Sequence, residues 1–151
     1  RGDLIDGKLG MSLSKDLGET WTYSATPFPG IGGGQRAVLR RLEEECLMLI
    51  SFTPGSDFKN KNGETFQGRG LFAALSFDGG KTWPKQRLLT DGKERTLDGK
   101  AHTGIFTMSA NNAEHRGYMT AVQTPDGIIH LISSGIHYRF NFAWLNEIST
   151  K

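Results

Sequence analysis

Ser14-Lys-Asp16-Leu-Gly18-Glu-Thr20-Trp21 and Ser76-Phe-Asp78-Gly-Gly80-Lys-Thr82-Trp83 are two copies of one pattern, S-x-D-x-G-x-T-W, 62 residues apart. Five fixed positions matched twice in 151 residues outweigh every single motif in the chain. Each residue type suits a turn. An Asp side chain accepts hydrogen bonds from backbone groups just ahead of it, and Gly admits a positive φ. Thr-Trp then opens a strand and supplies a large ring to bury. The pattern predicts a turn feeding a strand at each copy, with Trp21 and Trp83 both buried and both turns on one rim. It is not a calcium loop, because D-x-[DN]-x-[DN]-G with a distal Glu is absent.

A second repeat lies outside the first. Gln35 to Ser51 aligns without gaps on Gly117 to Ser133 at a constant offset of 82 residues. Each copy reads as strand, tight turn and strand, with turns at Glu43-Glu44-Glu45 and Pro125-Asp126-Gly127. Gly is frequent, at 20 residues, and the apolar runs are short, so many turns separate many strands. Strands are predicted over 8–14, 20–24, 36–42, 46–53, 69–77, 83–90, 118–124, 128–134 and 137–145, with 102–108 as a further one. No long segment carries a helical period, so the fold class is all-β.

Composition narrows the function classes. A net charge of +2 gives neither a nucleic-acid footprint nor a polybasic membrane surface, so no nucleic acid and no membrane are expected as partners. The single Cys46 sits in an apolar run, which excludes an internal disulfide framework and favours burial over reactivity. No apolar run reaches the ~18 residues of a membrane-spanning helix, and none of the given residues reads as a signal sequence. Gly32-Gly33-Gly34 precedes a strand and is no phosphate loop. His115, His130 and His137 lack zinc-site spacing, and a turn separates the last two, which reads against a metal. No cofactor is expected.

The S-x-D-x-G-x-T-W pattern resembles the Asp-box, or BNR repeat, of the sialidase (neuraminidase) superfamily. There it joins the two outer strands of a β-propeller blade on the face away from the active site. The resemblance implies a β-propeller of four-stranded antiparallel blades. With blades of ~40 residues or more, 151 residues hold only an incomplete set of about two to three. The whole chain 1–151 then reads as one domain, the C-terminal part of a sialidase-like propeller. Residues 1–28 give the outer strands of one blade, 36–90 a complete blade, and 102–147 the last blade. Ser14, Asp16, Gly18, Thr20, Trp21, Ser76, Asp78, Gly80, Thr82 and Trp83 are its structural Asp-box residues. An open set of blades leaves faces and strand edges uncovered. Phe140, Phe142 and Trp144 alternate along the last strand, so one side of it needs a partner. The chain is therefore expected either to self-associate or to sit beside N-terminal blades of a parent protein.

Loop lengths separate two rims. The links at 43–45, 79–81 and 125–127 are tight, whereas 25–35, 54–68 and 91–116 are long. Binding residues favour long loops on a rigid scaffold. Arg36 and Tyr118 begin equivalent strands on the long-loop rim and are expected to converge. The run from Gly117-Tyr118 to Ser134 resembles the last-blade sialidase pattern G-Y-S-x-x-x-x-L-P-D-G-x-I-G-L-L-Y-E. In that family the Tyr is the nucleophile of retaining hydrolysis, activated by a Glu, so Tyr118 is the catalytic candidate. Met119 replaces the Ser after Tyr, and Ser134 replaces the closing Glu that supports an arginine of the carboxylate clamp. Arg36 is a substrate-binding candidate, since a guanidinium holds a sugar carboxylate through two parallel hydrogen bonds. His102 shares that rim and is a pocket candidate. Arg116 and Arg139 read as solvated, and Glu94 and Glu114 precede Tyr118 without a motif that makes either its partner.

The resemblance implies a glycoside hydrolase, exo-acting on a carbohydrate such as sialic acid or another acidic sugar. This chain alone is expected to be inactive, because the family's acid/base Asp and first Arg belong to early blades. The rival readings are a non-catalytic carbohydrate-binding or interaction propeller, and a lyase or non-sialic hydrolase on the same fold, which Ser134 favours. An extracellular or periplasmic location follows from the resemblance alone.

Overall fold

The computed structural model describes residues 4–147, and these are all-β apart from one short helix. A two-stranded antiparallel pair, β1 (Lys8–Leu13) and β2 (Thr22–Pro29), comes first. A four-stranded antiparallel sheet follows in simple order: β3 (Val38–Arg41), β4 (Leu47–Lys59), β5 (Thr65–Ser76) and β6 (Lys85–Leu88). A small hairpin, β7 (Arg95–Asp98) and β8 (Ile105–Met108), precedes a three-stranded sheet of β9 (Met119–Gln123), β10 (Ile128–Ser133) and β11 (Ile136–Asn141). The helix α1 (Phe142–Asn146) ends the described chain. None of these sheets closes on itself.

The four-stranded sheet is the centre of the molecule. Met48–Thr53 of β4 and Gly70–Ser76 of β5 are buried without a break, as expected of strands covered on both faces. One cover comes from the first pair, where Phe28 lies 5.3 Å from both Phe72 and Trp83. The three-stranded sheet lies on the far side, with β3 beside β9. Arg40 Nε there donates to Ala121 O at 2.9 Å, and Glu43 N donates to Gln123 Oε1 at 2.8 Å.

Both S-x-D-x-G-x-T-W stretches form the same turn, between β1 and β2 and between β5 and β6. Gly18 N donates to Ser14 Oγ at 2.7 Å, and Thr20 N donates to Asp16 Oδ1 at 2.9 Å. The second copy repeats these bonds at 2.8 and 2.9 Å. The hydroxyls of Thr20 and Thr82 also donate to Asp16 and Asp78. These bonds hold both carboxyls down at a pKa of about 2, the Thr side chain contributing most. The position after Asp is left-handed in both copies, at φ +58° for Leu17 and +73° for Gly79.

Three expectations are corrected. Trp21 is 63% exposed whereas Trp83 is 8% exposed, although each indole N–H donates to a Gly carbonyl within its own turn. Phe28 covers Trp83, and among the described residues no aromatic ring pairs with Trp21. The stretch 54–68 is no loop: β4 and β5 run on as a long hairpin to a turn at Asn60 and Glu64. A register shift between Thr53 and Ser56 accommodates Pro54 and Gly55 as a bulge. The segment 137–145 is not one strand. Asn141 Oδ1 caps α1 by accepting from Trp144 N at 2.9 Å, so Phe142 and Trp144 leave the alternation. Their side chains dock on the central sheet, with Phe142 against Phe77 and Trp144 under the Arg87 guanidinium, 3.8 Å from its ring centre. The outer face of the last sheet is mixed, presenting Thr120, Val122, His130, Ile132, His137 and Arg139.

Candidate functional site

The 82-residue repeat brings its two copies together. Gln35 and Gly117 form a parallel bridge, in which Gly117 N donates to Gly34 O at 2.8 Å and Arg36 N donates to Gly117 O at 3.2 Å. Gly117 is required here, since a Cβ would stand 2.3 Å from Ser133 Oγ and 2.9 Å from Glu114 Oε1. Its neighbour Tyr118 is half-buried, and Ser134 brackets it by donating to Tyr118 O and accepting from Tyr118 N.

The three site residues predicted from sequence meet. The Arg36 guanidinium carbon lies 4.9 Å from the Tyr118 ring centre. The His102 ring stacks on the same Tyr at 4.5 Å with 27° between planes. His102 sits at φ +67° in the turn joining β7 to β8, where Gly104 N donates to Lys100 O at 2.8 Å. The next residue fastens that turn: Thr103 Oγ1 bonds both Glu114 Oε1 and Arg116 O at 2.8 Å. Arg36 and His102 are exposed, so the cluster presents an aromatic ring flanked by two nitrogen-rich side chains to solvent. A guanidinium and an imidazole so placed can hold an oxyanion. Open clefts elsewhere on the molecule are lined by other residues, and Glu94 borders one of them beside Phe58 and Trp144.

Sequence reasoning gave Glu114 no role, yet it is the fully buried acid beneath this cluster. Its carboxylate accepts from Thr103 Oγ1, from Ser133 Oγ at 3.0 Å and from the Tyr138 hydroxyl at 2.8 Å. Burial pushes its pKa up against these three hydrogen bonds. Burial, and then the adjacent Glu114 charge, pushes the Tyr138 phenol well above its ordinary pKa. The Tyr–Glu pair seen here is thus Tyr138–Glu114, tuned against phenolate formation. The only sequence signal for it was position, four residues before Tyr118, because its partners lie 11 to 24 residues away.

The remaining candidates separate. Arg116 packs its aliphatic stem near Gly34, 3.4 Å from where a Cβ would stand. His115 lies against Phe106 and lines a cleft with Arg69, Thr53 and Asn112. Burial first, then Arg116 and Arg69, push its pKa down. Cys46 is buried, and burial pushes its thiol pKa up. Among the described residues no group of three or more potential metal ligands gathers, and no helix is long and apolar enough to cross a membrane. Comparison with known proteins gives no matching family model, no matching curated relative and no matching solved structure.

Proposed function

We propose that this chain is part of a sialidase-like propeller and carries the Tyr–Arg portion of a site for an acidic sugar. The observation that carries the reading is the meeting of Arg36, Tyr118 and His102 at the seam between the two repeat copies. In this reading the sheets are successive blades, β1–β2 supplying outer strands and β9–β11 three strands of the last one, with β9 and β10 innermost. Arg36 holds the sugar carboxylate, His102 contacts the ring substituents, and Tyr118 is the nucleophile of a parent glycoside hydrolase. Further blades supply the acid/base, or copies of the chain pair their open sheets; light scattering at micromolar concentration separates these.

A second reading, a carbohydrate-binding propeller without catalysis, is favoured by Glu114. Three donors engage its carboxylate and burial biases it toward the protonated form, which suits a structural acid better than a base. The deciding experiment titrates the chain with N-acetylneuraminic acid and with glucuronic acid, followed by amide NMR. Shifts centred on residues 34–36, 102 and 117–118 that vanish in Arg36→Ala support the site. No shift with either sugar refutes it. Hydrolysis of a fluorogenic sialoside is expected from the chain joined to its missing blades and not from the chain alone. Loss of that turnover in Tyr118→Phe with sugar binding retained selects the hydrolase over the binding module.

A further inference from the structure

The turn that separates His130 from His137 in sequence joins them in the fold. Antiparallel pairing of β10 with β11 sets Ile132 opposite His137 and His130 opposite Arg139. The two histidines are therefore diagonal neighbours on one face of the hairpin, within reach of each other. His130 Nδ1 and His137 Nε2 stand 3.0 Å apart. The rings are 18° from parallel with centres 5.2 Å apart, so they meet edge to edge and not face to face. One ring nitrogen donates to the other, and both side chains lie on the solvent face, His137 exposed and His130 half-buried.

We propose that His130 and His137 form a surface site for a late divalent transition metal, Cu2+ in first place and Ni2+ or Zn2+ after it, completed by water. The spacing fits. With metal–nitrogen bonds of about 2.0–2.1 Å, two ligands at 90–109° stand about 2.8–3.4 Å apart, and the observed gap falls inside that window. Imidazole suits these metals, and Cu2+ tops the divalent affinity order. Rotation about the Cβ–Cγ bonds turns the two nitrogens, which face each other in the edge-to-edge pair, toward a shared ion. The proton that lies between the rings moves to the far nitrogen of its own ring, so each ring offers a lone pair to the ion. Arg139, directly opposite His130, weakens the site by repulsion. An occupied site staples β10 to β11 and stabilises the last sheet by mass action.

The test is titration of the chelator-treated full chain with Cu2+, followed by calorimetry and electron paramagnetic resonance. The expected result is one stoichiometric site with two nitrogen ligands, weakened at least tenfold by His130→Ala and by His137→Gln. Combining the two changes should weaken it no further than either alone. Arg139→Gln should tighten it, while His102→Ala and His115→Ala should leave it unchanged. Metal should raise the melting temperature of the wild-type chain and not of the double variant. In the wild-type chain alone, sub-stoichiometric Cu2+ should broaden the ring signals of His130 and His137 before those of His102 and His115. Equal affinity in wild type and both variants, or broadening that begins at other histidines, overturns the proposal.

Discussion

Trp21 and Trp83 occupy the same motif position and make the same indole hydrogen bond, at 3.0 and 3.2 Å. Their exposures of 63% and 8% are the main difference between them. A Trp side chain carries up to about 250 Å2, so the difference amounts to roughly 140 Å2, or about 3 kcal/mol at ~25 cal/mol per Å2. Trp83→Ala is expected to cost about 4 kcal/mol once the cavity beside Phe28 is included. Trp21→Ala should cost about 1 kcal/mol, the worth of its hydrogen bond. For a chain of 151 residues each kcal/mol lowers Tm by about 2–4 °C. The two variants should therefore lose about 8–16 °C and about 2–4 °C. Urea unfolding monitored by far-ultraviolet circular dichroism gives the midpoints and slopes. Losses within about 1 kcal/mol of each other would refute the reasoning, because the shared turn and not the cover would then set the value of the ring.

Leu17→Gly should stabilise the chain by about 0.5–1 kcal/mol in the same assay, since a fully exposed Leu at φ +58° stands where the second copy has Gly79. Asp16 and Asp78 have folded pKa values of about 2, below the ordinary carboxylate value of about 3.9. Their stabilising contribution is thus complete above about pH 4 and is lost as pH falls toward 2. Acid unfolding curves that steepen in that window for the wild type, and flatten in Asp16→Asn with Asp78→Asn, would show it. Glu114→Ala leaves the Ser133 and Tyr138 hydroxyls without their acceptor, while Thr103 keeps Arg116 O, and should cost about 3 kcal/mol or more in urea unfolding. Arg87→Ala removes the cation over Trp144 and the ion pair to Glu147, so amide exchange should accelerate across residues 142–147 while the central sheet stays protected.

Turn chemistry was legible because its bonds close within a few residues. Ser14, Asp16, Gly18 and Thr20 satisfy one another across four positions or fewer, and their order alone specifies the turn. The 82-residue repeat was legible for the same reason. Glu45 sits at φ +58° where its copy has Gly127 at +78°, and both turns close with the same backbone bonds. Even the convergence of Arg36 with Tyr118 was readable, since equivalent positions of two repeated hairpins meet when the hairpins stand side by side.

What tertiary structure decided was cover and pairing at long separation. Both Trp residues sit in the same local motif, and Trp83 joins the core, with Phe28 against it, while Trp21 stays at the surface. The alternation of Phe140, Phe142 and Trp144 pointed to a strand. Asn141 capping a helix turn and Arg87, more than fifty residues earlier, receiving Trp144 settled the matter otherwise. Glu114 gained its role from hydroxyls on three separate segments, and His130 met His137 only because the hairpin register set them diagonally. Local dihedral preference and short-range hydrogen bonds are properties of neighbouring residues, so the sequence alone determined the all-β class and its turns. Desolvation depends on what arrives from elsewhere in the chain, and that arrival is a property of the folded whole.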